Sequence, residues 1–303
     1  TLDRSSAASD VYKRQTEKMA EILLAERPDL STDPESANRL LVAHCPERVL
    51  PGKIMEEMAA NDRVIGGLNP LSTDRAKQLY SSFCNGEMLL TNATTAEMAK
   101  LTENSFRDVN IAFANELSII SDKLGIDVWE LIELANHHPR VNILNPGPGV
   151  GGHCIAVDPW FIVSSAQEEA KLIRTAREVN DGKPAYVIAK ITEAVEAEGA
   201  DSIAALGIAF KPDIDDLRES PALSIVQQMA EKWPEKNILV AEPNVNELPE
   251  SLTAYQNVQL VDASHAISSS PVVAVLVDHT PFKSLEKSVL EGKNVVDTRG
   301  MWS

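Results

Sequence analysis

The chain has 303 residues, 44% of them hydrophobic, which is enough for about two domains with buried cores. With 28 Lys and Arg against 45 Asp and Glu its formal charge is −17, a field that disfavours nucleic acid and anionic membrane surfaces as partners. No apolar run reaches the ~18 residues of a membrane span, and three cysteines far apart (Cys45, Cys84, Cys154) argue against a disulfide framework and for the reducing cytoplasm.

Residues 1–15 (TLDRSSAASDVYKRQ) are polar and lack a hydrophobic period, so they read as non-native or disordered. From Thr16, TEKMAEILLAERPDL predicts an amphipathic helix ended by Pro28. RLLVAHCPERVLPG (39–52) reads as a strand running into a loop, with DRVIGGL (62–68) and EMLLTN (87–92) as further strands. A helix is predicted over 74–86, stopped by Gly86. Residues 16–93 thus read as the remnant of an N-terminal Rossmann-type domain whose first half lies outside this sequence.

Residues 94–199 lose strand character. One long helix is predicted from Thr94 or Thr95 as cap to Gly125, then a shorter one in DVWELIELANHH. After a glycine-rich stretch comes a third, with a break expected near Gly182-Lys183-Pro184. Residues 200–303 return to alternation: SIAALGIAF, NILVAEPN, PVVAVLVDH and NVVDTRG as strands, and SPALSIVQQMAEK as a helix with Ser220 as N-cap and Pro221 in the first turn. The fold class is α/β, with a central long-helix region suited to dimerisation and a C-terminal Rossmann-like, doubly wound parallel sheet.

Four clusters carry chemistry. On the long helix, Glu97, Lys100, Asn104, Asp108, Ile111 and Asn115 share one face beside an apolar stripe of Met98, Leu101, Val109, Ala112, Phe113 and Ile120. That face is either a solvated one with a Glu97–Lys100 pair, or a site face in which Lys100 and Asn104 donate to a developing oxyanion. In CPERVLPG, Glu47 follows a strand's carboxyl end, where open α/β sheets bind ligands; it pairs with Arg48 in the plainer reading. In NPGPGVGGHCIAVDP (145–159), Gly147, Gly149, Gly151 and Gly152 permit close backbone approach beside Cys154 and Asp158. Cys154 is a buried inert thiol, a metal ligand with His137, His138 and His153, or a nucleophile toward a carbonyl carbon. No strand leads into this loop, so it is not read as a dinucleotide fingerprint. In GIAFKPDIDDLRESPA (207–222), Lys211 and Arg218 lie where a phosphate is naturally cradled, although Arg218 has Asp215 and Asp216 at hand. Asp297 and Arg299 close the chain as a surface pair or a site pair.

PER after the strand, E-x-x-K-x-x-x-N on the helix, G-x-G-x-G-G-x-C with Asp four residues on, and A-F-K-P-D-x-x-D-x-R-x-S-P occur here in that order. Together they resemble the UDP-glucose/GDP-mannose dehydrogenase family over about 16–303. The resemblance implies NAD as cofactor and a UDP-N-acetylated hexosamine as substrate, UDP-N-acetyl-D-mannosamine ahead of UDP-N-acetyl-D-glucosamine; the apolar stripe of the long helix suggests the core of a homodimer, although intrachain packing would look the same, and no metal is expected because paired His137-His138 lacks the usual ligand spacing. The product would be a uronate for bacterial surface polysaccharide. It further implies Cys154 as nucleophile, Asp158 activating water, Lys100 and Asn104 on the oxyanions, and Glu47 in proton transfer. Lys211 would meet the diphosphate, with Gly151 and Arg299 also on the substrate. Arg140 would reach a neighbouring subunit's substrate, and Arg218 the NAD pyrophosphate. Two departures stand out: Pro51 occupies the place of a second glutamate, and the strand–G-x-G-x-x-G–helix that opens the NAD domain is not in this sequence. The chain as given is therefore expected to bind NAD poorly. The competing class is a non-catalytic nucleotide-sugar-binding module. A thiol hydrolase without redox cofactor lacks a Cys–His–Asn pattern.

Overall fold

In one short stretch an Asn-Pro pair, a glycine pair and two apolar runs build a small parallel unit. The computed structural model describes residues 14–49, 53–152 and 154–302; residues 1–13 of the segment read as non-native and the Pro51 departure lie outside them, whereas Arg14 and Gln15 of that segment cap and open a helix. The chain divides into two compact units, one taking it up to Phe106 together with Asp158–Lys171, the other Arg107–Val157 with Leu172–Ser303.

The first unit opens with α1 (Gln15–Glu26), as the amphipathic period predicts. Its sheet has the order β1 (Ala43–His44), β2 (Arg63–Gly67), β3 (Met88–Asn92), with β1 antiparallel to β2 and β2 parallel to β3. The short strand expected to run into a loop within 39–52 pairs at only two residues. Pro46 follows after Cys45, and with no N–H it cannot extend a ladder. A short α2 (Ile54–Ala60), which the sequence reading missed, precedes β2. The crossover helix α3 is Pro70–Tyr80 rather than 74–86. Asn69 caps it by accepting the Ser72 N–H, and Pro70 fills the first turn, where its missing donor costs nothing. Gly86 is not its stop. A Cβ there would stand 2.3 Å from the Asn61 carbonyl oxygen, so the requirement is close backbone approach.

The long helix α4 spans Ala93–Leu124 and follows β3 without a gap. Its cap is Asn92, which accepts the Thr95 N–H at 2.9 Å, rather than Thr94 or Thr95. It ends before Gly125 at φ 68°. The helix α5 (Val128–Asn136) is capped by Asp127, and α6 (Asp158–Ser165) was not anticipated. The helix α7 (Lys171–Glu198) runs unbroken through Pro184. An internal proline costs ~3 kcal/mol, but Val187, Ile191 and Val195 on the same helix are buried in the core, each contributing roughly 1.5–3 kcal/mol. Packing therefore overrides the local break.

The second unit holds a fully parallel sheet of β4 (Ser202–Leu206), β5 (Asn237–Ala241), β6 (Val258–Leu260), β7 (Val272–Val275) and β8 (Asn294–Asp297) in the order β6-β5-β4-β7-β8. The three-residue β6 was too short to show a period. Ile203, Ala205, Ile238, Val240 and Ala274 point to one core with α8 (Pro221–Lys232), and Ala204, Leu206, Leu239, Val273 and Val275 to the other with α9 (Ala263–Ser269). Ser220 caps α8 as expected, accepting the Leu223 N–H. The strand order reverses between β4 and β7, so the ligand crevice of this sheet lies past Leu206 and Val275. Among the described residues no helix is long and apolar enough to cross a membrane.

Candidate active site

In the first unit, Lys100 and Asn104 sit one turn apart on α4, both half-buried. The Asn104 carboxamide donates to the carboxylate of Asp158, the first residue of α6. Burial raises the Asp158 pKa, opposed by the Asn104 bond and by the Lys100 charge. These three residues form one cluster although 54 positions separate Asn104 from Asp158.

Glu97 does not belong to a solvated face. It is 5% exposed and its Oε1 accepts both the N–H and the hydroxyl of Thr16, so the expected Glu97–Lys100 pair is absent. The apolar stripe is only partly buried, and Phe106, outside it, is also exposed. Leu101 and Ala112 are buried, whereas Met98, Phe113 and Ile120 are exposed.

Glu47 takes as ion partner Arg63, 3.0 Å away, rather than Arg48, whose backbone N–H it accepts. Burial works to raise its pKa, but the bonds from the Arg48 N–H and from Arg63 prevail and hold it below the usual range. Arg48 instead binds Glu103, the neighbour of Asn104 on α4, at 2.8 Å, which ties the PER loop to the long helix.

In the second unit, the glycine loop is shaped by what lies against it. A Cβ on Gly151 would stand 2.6 Å from the Glu219 carbonyl oxygen, and Gly152 has φ 83° against the Phe210 ring. The loop therefore packs on the segment that carries Lys211 and on the start of α8. A Cβ on Gly147 would meet Arg299 Nη1 at 2.6 Å. Three clusters read separately in the sequence thus adjoin.

Cys154 is exposed, which removes the buried-thiol reading, and its carbonyl accepts the Val157 N–H in a turn that ends where Asp158 begins. Lys211 is exposed with no side-chain hydrogen bond or ion pair among the described residues. Arg218 binds Asp216 through two nitrogens, at 2.8 and 2.6 Å, as its plainer reading held. Arg299 directs its side chain to Asp278 at 2.8 Å, not to Asp297, which accepts its backbone N–H. Arg140 is exposed beyond α5 and is not brought to the loop by any hydrogen bond among the described residues. Among the described residues no group of three His, Cys, Asp or Glu is placed to hold a metal ion; His153 lies outside them.

Two polar networks escaped the sequence reading. One joins Asp108, Arg177, Asn180 and Asn115, all buried. The other joins Glu242 and His279, just past β5 and β7. Their position after strand ends was a usable signal for the second; nothing in LIRTAREVND marked Arg177 and Asn180 as buried.

A cavity of about 410 Å³ opens at the carboxyl ends of β2 and β3, lined by Gly67, Asn69, Thr73, Thr91 and Asn92. Asp74 adds a carboxylate to its otherwise uncharged hydrogen-bonding rim.

A doubly wound parallel sheet with its ligand crevice at the strand-order reversal defines a nucleotide-binding α/β class. The chain belongs to the UDP-glucose/GDP-mannose dehydrogenase family, whose central domain model matches residues 94–182, its UDP binding domain 204–303 and its NAD binding domain 6–84. The chain is 55% identical over 297 residues to UDP-N-acetyl-D-mannosamine dehydrogenase of Yersinia pestis, covering 95% of this chain and 70% of that one. It is 54% identical over 290 residues to NDP-N-acetyl-D-galactosaminuronic acid dehydrogenase of Ralstonia nicotianae, covering 95% and 68%. Among solved structures, the UDP-D-ManNAc dehydrogenase of Pyrococcus horikoshii superposes with TM-score 0.81 at 38% identity, covering 95% of this chain and 66% of that one. The chain thus spans about two thirds of the length of the relatives it matches.

Proposed function

We propose that the whole protein is an NAD-dependent dehydrogenase that oxidises C6 of a UDP-N-acetylated hexosamine to the carboxylate, with UDP-N-acetyl-D-mannosamine as substrate and UDP-N-acetyl-D-mannosaminuronate as product. The observation that carries the reading is the Asn104–Asp158 hydrogen bond. It gathers Lys100, Asn104 and Asp158 into one cluster, four residues along the chain from the exposed Cys154.

NAD supplies the acceptor for one hydride at each of two oxidation steps. The protein's residues do the rest. Lys100 and Asn104 donate to the oxygen on C6 as charge develops there. The Cys154 thiolate adds to the C6 aldehyde, and its thiohemiacetal oxyanion is held by the same pair. Once the second hydride has left, C6 is a thioester. Water attacks it, gives a proton to Asp158, and expels the thiolate. Burial suits Asp158 to this work because it raises the carboxylate's basicity. Glu47, held by Arg63, orders water or passes protons. Lys211, Gly151 and Arg299 take the nucleotide sugar, Arg218 the NAD pyrophosphate and Arg140 a neighbouring subunit's substrate. The three-part organisation at 16–93, 94–199 and 200–303 belongs to the same reading.

The sugar is chosen on motif likeness to the mannosamine enzymes, and the Ralstonia relative at matching identity is named for the galacto sugar. Comparing turnover of the manno, gluco and galacto UDP-N-acetylhexosamines assigns it; a faster rate with either of the latter two replaces the substrate assignment. About two NADH per sugar are expected. One, with free aldehyde released, sinks the thioester route. Cys154→Ser should abolish acid formation.

We also propose a homodimer through α4. Phe106, Phe113 and Ile120, spaced by seven, leave 71%, 54% and 44% of their surface exposed along one helix face.

A further inference from the structure

We propose that Asn115, Asn180 and Arg177 are positioning residues for the Cys154 loop: a buried polar relay, anchored on Asp108, that fixes the loop through the Gly147 amide. The inference rests on the reading of Cys154 as the nucleophile.

All four side chains are buried, at 0% exposure for Asp108, Asn115 and Arg177 and 1% for Asn180. The Gly147 N–H donates to Asn115 Oδ1 at 2.9 Å. A backbone N–H can only donate, so this contact sets the amide's orientation. Asn115 must then present Nδ2 to its other neighbour, and it does, donating to Asn180 Oδ1 at 2.8 Å. Asn180 in turn donates from Nδ2 to Asp108 Oδ1 at 2.8 Å and to the Asp108 carbonyl at 3.0 Å. Arg177 Nη1 reaches the same Oδ1 at 2.5 Å and lies 3.5 Å from the carbonyl oxygen of Ile155. The relay therefore meets the loop on both sides of Cys154, seven residues before it and one after. No donor or acceptor in the series can be reversed without leaving a buried group unpaired.

Stability alone does not account for such a cluster. Asp108 Oδ2 and Arg177 Nε have no hydrogen-bond partner among the described residues, and orphaned buried polar atoms are costly. Apolar residues of similar volume often serve a helix pair as well or better than a buried ion pair. What apolar residues cannot do is accept the Gly147 N–H, and a reacting group displaced by ~1 Å can lose about a hundredfold in rate.

The test uses the full-length protein. Asn115→Ala removes the Gly147 acceptor. Hydrogen exchange in peptides spanning 145–157 should then accelerate about tenfold or more while α5 and β4 keep wild-type protection. In the same variant kcat should fall about thirtyfold or more, with KM for the nucleotide sugar held within about threefold. Asn180→Ala, which leaves the acceptor but frees its orientation, should show the same pattern at smaller amplitude, and the double variant should be no worse than Asn115→Ala alone. Should Asn115→Ala not fold, Asn180→Ala is read by the same two criteria. Wild-type exchange in the loop, or protection lost evenly across both long helices, overturns the proposal. The exchange measurement needs no turnover. If Cys154→Ser leaves acid formation intact, the functional reading falls while loop exchange still decides the relay.

Discussion

His279 Nε2 lies 3.0 Å from Glu242 Oε2, with both side chains fully buried just past the ends of β7 and β5. His279 Nδ1 accepts the Asp213 N–H at 3.0 Å, which places the ring proton on Nε2, donating to Glu242. Glu242 Oε2 also accepts the N–H groups of Ile208 and Ala209. Both ends of the segment that carries Lys211 are pinned by this one pair.

Glu242→Ala should therefore cost about 3 kcal/mol, the scale for losing charged hydrogen bonds to buried donors, and should weaken UDP binding. Burial pushes the Glu242 pKa up, but the bonds from His279 and the Ile208 N–H prevail and hold it below the ordinary range. A depressed carboxylate stabilises the fold above its unfolded pKa of ~4.3 and loses that contribution as pH falls through the folded value. The stability gap between wild type and variant, followed by urea unfolding, should close in acid. A gap constant from pH 7 to pH 3 would refute the assignment.

The acid limb of the pH–rate profile should respond to Asn104. The Asn104 bond and the Lys100 charge both lower the Asp158 pKa against the burial that raises it. Removing either donor leaves the carboxylate easier to protonate. In Asn104→Ala and Lys100→Met, the limb of kcat should move to higher pH, beyond the drop in maximal rate of roughly 10²–10³ typical of a lost oxyanion donor. Superimposable limbs would separate Asp158 from the rate-controlling proton transfer.

Two glycine substitutions should differ in kind. Gly151→Ala places a methyl 2.6 Å from the Glu219 carbonyl oxygen, so the loop must shift. Activity should fall by about a hundredfold or more in a protein that still folds. Gly125→Ala meets open space and bears only the left-handed backbone at φ 68°, a cost of ~1–2 kcal/mol with unchanged kcat.

Phe113→Glu should convert the proposed homodimer to monomers in sedimentation velocity, since a charge on an exposed apolar seam opposes burial against a second copy. An unchanged sedimentation coefficient for the variant would place the interface elsewhere.

Much of the fold is legible from local chemistry. Alternating apolar strands, Ser220-Pro221 before α8 and Gly125 after α4 act over a few residues and mark their elements correctly. Errors arose where distant packing outweighed a local signal. Pro184 reads as a break because its ring forbids one hydrogen bond, yet the buried face of α7 carries the helix past it. Gly86 reads as a helix stop, yet it serves the approach of the Asn61 backbone.

The site divides in the same way. Sequence determined which groups are present: a thiol framed by glycines, a lysine and an asparagine one turn apart, an aspartate four residues beyond the thiol. Residue type and short spacing suffice for that, because helix and turn geometry are fixed by the backbone. Tertiary structure decided which of them meet and what surrounds them. Asn104 finds Asp158, Glu47 finds Arg63 in place of its neighbour, and Asp108 and Asn115 turn inward to a buried arginine and asparagine. Burial and hydrogen-bond partners depend on chain segments tens of residues apart, which no local period encodes.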